Sequence, residues 1–215
     1  MKKKAFIFDL DGTLIDSLTD LAASANFALR QLGYPEHDVE KYRMFVGDGV
    51  KILMRRVLPE SAPDSETERL LPYFQEYYAL HYSNKTRPYE GMPEALAFLK
   101  NQGIALCVLS NKPHEFAVKI INELFEKDTF SIVCGLRETM RKKPDPTALR
   151  NILREIGVSH EETVYVGDSG VDMQTAQNAG VFGLGAGWGF RGKEELFQNG
   201  ASFVVENPSQ LKNYI

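Results

Sequence analysis

The fold class this sequence predicts is α/β: a Rossmann-like three-layer core on a parallel sheet, with an all-helical cap domain inserted into it. Three observations along the 215 residues predict it. Short apolar runs recur at intervals, segments of helical period with clear start and stop signals lie between most of them, and one interval is too long to be a single crossover. The runs are continuous rather than alternating in apolar character, which marks strands covered on both faces and hence a parallel sheet with crossover helices.

The strand candidates, in order, are AFIF at 5–8, IALCVL at 104–109, FSIVCG at 130–135, TVYVG at 163–167, VFGLG at 181–185 and SFVV at 202–205. The helices between them are punctuated by proline in the first turn and glycine at the end. GMPEALAFLKNQG carries Pro93 and Gly103; DPTALRNILREIG carries Asp145 as cap, Pro146, an apolar face of Leu149, Ile152, Leu153 and Ile156, and Gly157 as stop.

From Asp16 to Asn84 the pattern is helical throughout, with Leu18, Leu21, Ala22, Ala25, Ala28, Leu29 and Leu32 on one stripe. A second helical segment surrounds Ile52 to Leu58, and the aromatic residues Tyr73, Phe74, Tyr77 and Tyr78 take helical spacing as the core of a third. The domain boundaries follow: a core of residues 1–15 and 88–215, and a helical cap of residues 16–87.

Composition narrows the function. With 25 basic and 29 acidic side chains the net charge is −4, so the chain has no broad attraction for nucleic acid or an anionic membrane. A phosphate ligand must then be held locally. No run reaches the roughly 18 apolar residues of a membrane span, and the lysine-led start MKKKAFIFDL is broken at Asp9, too early for a secretory segment. The two cysteines, Cys107 and Cys134, sit inside apolar runs and read as buried free thiols of a reducing compartment. A cytoplasmic location is expected.

Ligands of open parallel sheets bind beyond the carboxyl ends of the strands. At those ends the sequence places Asp9-x-Asp11, Ser110-Asn111-Lys112, Lys142-Lys143-Pro144, and Gly167-Asp168-Ser169 with Asp172. Four carboxylates and a lysine converging there call for a divalent cation. Hard oxygen donors with no partnering His or Cys favour Mg²⁺ over zinc. Asp16 stands where a helix N-cap stands.

DLDGTLIDS, SNK, KKP and GDSGVD, in this order and at these separations, resemble the four motifs of the haloacid dehalogenase superfamily, over the whole chain. With both aspartates of the first motif present, the resemblance is to the phosphatases and phosphomutases. It implies Asp9 as nucleophile forming an aspartyl-phosphate and Asp11 as general acid and base. It also implies Mg²⁺ held by the Asp9 and Asp168 side chains and the Asp11 carbonyl, with Asp172 supporting the metal's waters and holding Lys143. Lys143, directly before proline, is the catalytic lysine by family spacing. Ser110, Asn111 and Gly12 are the phosphate-binding candidates, with Thr13 bonding either the loop or the phosphate.

RMFVGDGVKILMRR and GWGFRGKEEL resemble segments of phosphoglycolate phosphatase-like members with a small helical cap. On that resemblance Gly47, Asp48, Gly49, Lys51 and Arg55 read the leaving group. Lys51 and Arg55, four apart, share a face for a substrate carboxylate; a solvated basic face is the alternative. Trp188 either borders the site or packs. The implied enzyme is a Mg²⁺-dependent phosphatase of a small phosphorylated metabolite, foremost 2-phosphoglycolate, as monomer or homodimer. The alternatives are a broader phosphatase of sugar phosphates, nucleotides or pyrophosphate, a β-phosphoglucomutase-like phosphotransferase, and a non-catalytic scaffold.

Overall fold

The structure is a computed structural model and describes residues 2–215. β1 (Ala5–Phe8) leads through β2 (Ile15–Asp16) into four helices, α1 (Leu18–Gln31), α2 (Tyr42–Phe45), α3 (Val50–Val57) and α4 (Ser65–His81). β3 (Arg87–Pro88) follows, and the chain then alternates through α5 (Met92–Asn101), β4 (Ala105–Pro113), α6 (His114–Leu124), β5 (Ile132–Leu136) and α7 (Thr147–Ile156). It ends with β6 (Thr163–Gly167), α8 (Gly170–Ala179), β7 (Phe182–Ala186), α9 (Lys193–Gln198) and β8 (Phe203–Val205). Two compact units result: the residues up to Ile15 together with Pro88–Ile215, and Asp16–Arg87.

In the first unit six strands form one parallel sheet in the order β5-β4-β1-β6-β7-β8. β1 lies inside it, with Ile7 in register with Cys107 of β4 and Tyr165 of β6. The chain moves outward from β1 to β4 and β5, then returns to β6 on the other flank. Such a reversal opens a crevice at the carboxyl ends of the strands.

The two-residue period of the strands supplies both faces of this sheet. Ala5, Ile7, Cys107, Leu109 and Tyr165 pack with Ala148, Leu149, Ile152 and Leu153 of α7 and Ala176 of α8. Phe6 and Phe8 project the other way, fully buried, with ring centroids 6.0 Å apart. Fully burying side chains such as Leu149 and Ile7 stabilises the fold by roughly 1.5–3 kcal/mol each.

One boundary differs from the sequence expectation. β4 does not stop at Leu109 but runs to Pro113, with a register shift between Leu109 and Pro113. Ser110, Asn111 and Lys112 therefore lie in an irregular strand extension, where broken pairing re-aims side chains.

In the second unit, Leu21, Ala22, Ala25, Ala28 and Leu29 of α1 are buried as their spacing requires, as are Leu53, Met54 and Val57 of α3 and Leu70, Phe74 and Tyr78 of α4. Tyr73 is exposed instead, and Tyr77 stacks on Phe27 at 4.5 Å, so only half of the aromatic group is core. Leu32 ends α1 as its C-cap and is half-buried. Asp20, buried in the first turn of α1, accepts hydrogen bonds from the Lys85 and Thr86 main-chain N–H groups and the Thr86 hydroxyl at 2.7–3.1 Å. A buried carboxylate with that many donors holds the returning segment onto α1. No helix is long and apolar enough to cross a membrane among the described residues.

Candidate active site

β1, β4, β6 and the loop before α7 deliver the charged residues of the first unit to one place. Asp9 follows the last residue of β1 and is buried, its N–H bonded to the Val166 carbonyl of β6. Lys143 is also buried, its Nζ 2.8 Å from Asp9 Oδ1 and 2.7 Å from Asp172 Oδ1. Asn111 fixes the main chain behind that lysine: its Oδ1 accepts the Lys143 N–H at 2.8 Å, and its Nδ2 donates to the Lys143 carbonyl at 3.4 Å. The Asn111 side chain thus positions Lys143.

Asp172 stands in the first turn of α8 and has four donors on its two oxygens. Lys143 and the Tyr165 hydroxyl reach Oδ1, and the Ser169 N–H and hydroxyl reach Oδ2 at 3.1 and 2.6 Å. The contacts with Ser169 form a capping box, so one carboxylate both closes the helix N-terminus and holds the lysine. Asp168 accepts the Phe190 N–H at 2.8 Å and the Thr13 hydroxyl at 3.2 Å. Thr13 is fully buried, and its single O–H is engaged with Asp168 rather than aimed at a phosphate.

Gly12 also serves differently from expectation. Its N–H donates to the Ile15 carbonyl at 2.9 Å and closes the turn after β1, so it is not available to a phosphate. What the turn demands of it is conformation and space. Its φ is +87°, and a Cβ there would stand 2.2 Å from Asp168 Oδ2. Gly189 is required from the opposite side, where a Cβ would meet the Gly12 carbonyl at 2.4 Å and Asp168 Cβ at 2.2 Å. Trp188 packs on the same loop, its Nε1–H donating to the Thr13 carbonyl at 2.9 Å. The GWGF segment is thus the wall behind Asp168.

Ser110 is buried, with its Oγ accepting the Lys112 N–H at 3.2 Å, which leaves its own O–H proton for a ligand. The residue that sequence reasoning passed over is Lys112. Its side chain is 3% exposed, and its Nζ lies 2.9 and 3.0 Å from the two oxygens of Asp11. The signal was present in the SNK triplet, but no local pattern tells which carboxylate such a lysine meets.

The electrostatics favour a bound cation. One ligand oxygen from each of Asp9, Asp168 and Asp172 falls within 4.8 Å of the others. Asp9 Oδ1, despite the nearby ammonium, has no aligned hydrogen bond. Burial, reinforced by the Asp172 carboxylate, pushes Asp9 up to about 7. Burial and the Asp172 and Asp9 charges hold Asp168 well above the usual carboxylate range. Burial pulls Lys143 down, but Asp172 and Asp9 outweigh it and raise that ammonium well above its ordinary value. Buried carboxylates that tend to keep their protons, all with hard oxygen donors, fit a divalent cation. Asp9 and Asp168 have lone pairs left for it, whereas Asp172 is occupied by its four donors.

A measurable pH effect follows. Asp9 is raised in the native state relative to its unfolded value near 3.9, so from about pH 4 to about pH 7 the native state binds more protons and stability falls as pH rises. A cation competing with those protons reverses the loss. Adding Mg²⁺ to EDTA-treated protein is expected to raise Tm by more at about pH 7.5 than at about pH 5.5. Equal shifts at both pH values would contradict a metal site built on Asp9.

The remaining candidates lie in the second unit. Gly49 caps α3 and Gly47 precedes it, both at positive φ, and Asp48 pairs with Arg56 at 2.6 Å. Lys51 forms an ion pair with Glu68, and Arg55 pairs with Asp64 at 3.2 Å and donates to the Pro59 and Glu60 carbonyls. The two cations share one face of α3 as spaced, but each meets a carboxylate from the α4 end of the unit. Exposed pairs of this kind are worth at most about 1 kcal/mol. Asp16 accepts the Leu18 N–H at 3.1 Å but is not the N-cap expected of it: α1 begins one residue later, with Ser17 in the cap position.

Comparison with known proteins agrees with this geometry. The family model described as haloacid dehalogenase-like hydrolase matches residues 6–186. Phosphoglycolate phosphatase 1 of Pseudomonas aeruginosa is 32% identical over 95% of this chain and 77% of its own length. A phosphoglycolate phosphatase of Neisseria meningitidis is 37% identical over 93% and 86%. Among solved structures, a protein of Lactobacillus delbrueckii provisionally assigned as a phosphoglycolate phosphatase superposes with a TM-score of 0.94 at 33% identity, covering 99% of this chain and 98% of that one.

Proposed function

The chain belongs to the haloacid dehalogenase-like hydrolase family, and on that premise we propose that it is a phosphatase of a small phosphorylated metabolite, foremost 2-phosphoglycolate. The observation that carries the reading is the buried Asp9 carboxylate at the end of β1, with the Lys143 ammonium at 2.8 Å and a second carboxylate two residues on. Asp9 attacks phosphorus: an Asp9 oxygen bonds to phosphorus as the ester P–O bond breaks, and the leaving oxygen takes its proton from Asp11. Asp11 then removes a proton from water, whose oxygen displaces Asp9 from phosphorus. Lys143 and the Ser110 hydroxyl bind the phosphoryl oxygens and neutralise their charge, the kind of contribution that dominates phosphoryl transfer.

Mg²⁺ is the ion we assign to Asp9 and Asp168, with the Asp11 carbonyl. When bound it neutralises charge on the phosphoryl group and on the aspartates. Burial holds the Cys107 thiol up at about 12 and raises Cys134, so both are inert free thiols suited to a reducing, cytoplasmic setting.

The test is inorganic phosphate release, with and without Mg²⁺, across 2-phosphoglycolate, hexose phosphates, nucleoside monophosphates and pyrophosphate. Mg²⁺-dependent turnover with the highest kcat/KM on 2-phosphoglycolate is expected. Release from none of them would overturn the phosphatase reading, and a uniform low rate would overturn the substrate.

A further inference from the structure

We propose that Trp188 is a positioning residue of the metal site: acting through Thr13, it fixes Asp168 in the orientation that a Mg²⁺ ion requires. This rests on the phosphatase reading above and on the metal assignment made with it. The indole Nε1–H donates to the Thr13 carbonyl at 2.9 Å, and the Thr13 hydroxyl donates to Asp168 Oδ1 at 3.2 Å. Two residues beyond the indole, the Phe190 N–H donates to Asp168 Oδ2 at 2.8 Å. One three-residue segment thus holds both oxygens of Asp168, one directly and one by way of Thr13. Between those contacts lies Gly189, where a Cβ would stand 2.2 Å from Asp168 Cβ and 2.4 Å from the Gly12 carbonyl. Asp168 is therefore packed between the backbones of Gly12 and Gly189.

The segment that does this is itself anchored. The Gly187 N–H donates to the Val205 carbonyl of β8 at 2.8 Å and the Gly189 N–H to the Ala186 carbonyl of β7 at 3.2 Å. The Trp188 ring meets that of Tyr89 edge-on, with centroids 6.5 Å apart. Thr13 is fully buried and its N–H donates to the Leu10 carbonyl at 3.2 Å, so all three of its polar groups are engaged. The loop after β1 is tied to β6 at its other end as well, where the Asp9 N–H meets the Val166 carbonyl at 2.9 Å. Segments 9–13 and 166–168 are therefore bridged at both ends, and the indole secures the end farther from Asp9. Gly189 and Phe190 act through their backbones, so the Trp188 Nε1–H is the contact that depends on which side chain is present.

A ligand held this firmly matters more for Mg²⁺ than for a larger ion. Mg²⁺ demands near-ideal octahedral geometry at about 2.0–2.1 Å, whereas Ca²⁺ accepts flexible arrangements of oxygens at about 2.3–2.6 Å. Groups that orient a metal ligand typically govern metal affinity or activity by about 10- to 100-fold. Loosening Asp168 therefore weakens Mg²⁺ binding selectively, while general damage to the site weakens both ions alike.

The experiment measures Mg²⁺ and Ca²⁺ dissociation constants by titration calorimetry on metal-stripped protein without substrate, so that binding is read apart from turnover. Wild type is compared with Trp188→Phe and Trp188→Leu, which lack the indole N–H, and with Thr13→Val and Thr13→Ala, which lack the hydroxyl. The double variants complete the set. Trp188→Phe is expected to raise the Mg²⁺ constant about 10-fold and the Ca²⁺ constant less than about threefold. Because the indole acts by way of Thr13, the same change made in Thr13→Val should add less than about twofold. The proposal is overturned if, in whichever Trp188 variant folds, Mg²⁺ binding stays within about threefold of wild type or both ions weaken equally. It is equally overturned if the Trp188 and Thr13 effects multiply in the double variant. Wild-type protein that binds no Mg²⁺ would instead overturn the metal assignment, and Mg²⁺ binding without phosphate release from any ester would overturn the phosphatase reading itself.

Discussion

Asp9→Asn is expected to lower kcat by at least about 10³-fold, or roughly 4 kcal/mol of barrier, while leaving the protein folded. The amide keeps the shape of the side chain but cannot supply the anionic oxygen that bonds to phosphorus. Stability should move the other way. Asp9 is buried, its Oδ1 lacks an aligned hydrogen bond, and burial with the Asp172 charge pushes it up to about 7, all of which mark an anion that the metal-free protein accommodates poorly. Removing that charge relieves repulsion with Asp172, so the Tm of EDTA-treated Asp9→Asn at about pH 7.5 should equal or exceed that of wild type. Steady-state phosphate release and thermal unfolding check the two halves. Residual turnover within about tenfold of wild type would remove Asp9 from the nucleophile role.

Lys143→Met is expected to damage activity and stability together. The ammonium stands 2.8 Å from Asp9 and 2.7 Å from Asp172 with 3% of its side chain exposed, and breaking a buried pair leaves uncompensated charge. That costs about 3–5 kcal/mol, or about 6–20 °C in Tm for a chain of this size. The sign with pH can be worked out. Lys143 is raised above its ordinary value, so in wild type its contribution is intact below that value and constant through neutrality. In the variant Asp9, already pushed up to about 7, can recover by protonation, so the deficit should narrow as pH falls below about 7. Thermal unfolding at several pH values reads this directly. A Tm within about 2 °C of wild type at neutral pH would show that the carboxylates do not depend on the lysine.

Much of this site was legible beforehand because its information is local. Asp9 and Asp168 each directly follow an apolar run, Asp172 stands in the first turn of the next helix and Lys143 lies directly before a proline, and strand ends of a parallel sheet gather their residues into one crevice. Gly157 was readable as a stop because only a left-handed residue ends the helix there; its φ is +69°. The aromatic stretch of α4 was read too generously, because helical spacing alone does not say how wide the buried stripe is: Phe74 and Tyr78 face inward, and Tyr73 does not.

By itself the sequence determined the strand and helix succession, the interval that holds the helical segment, and the residue types offered at each strand end. Period, chain punctuation and charge are properties of neighbouring residues, and they survive without knowledge of the fold. Tertiary structure alone decided which side chain each of those residues meets. Lys112 and Asp11 are 101 positions apart, Asn111 and Lys143 are 32 apart, and Trp188 and Thr13 are 175 apart. Their pairing depends on β4 and β6 flanking β1 and on a register shift after Leu109, and a hydrogen bond needs its partners within a few tenths of an ångström, which only the assembled sheet provides.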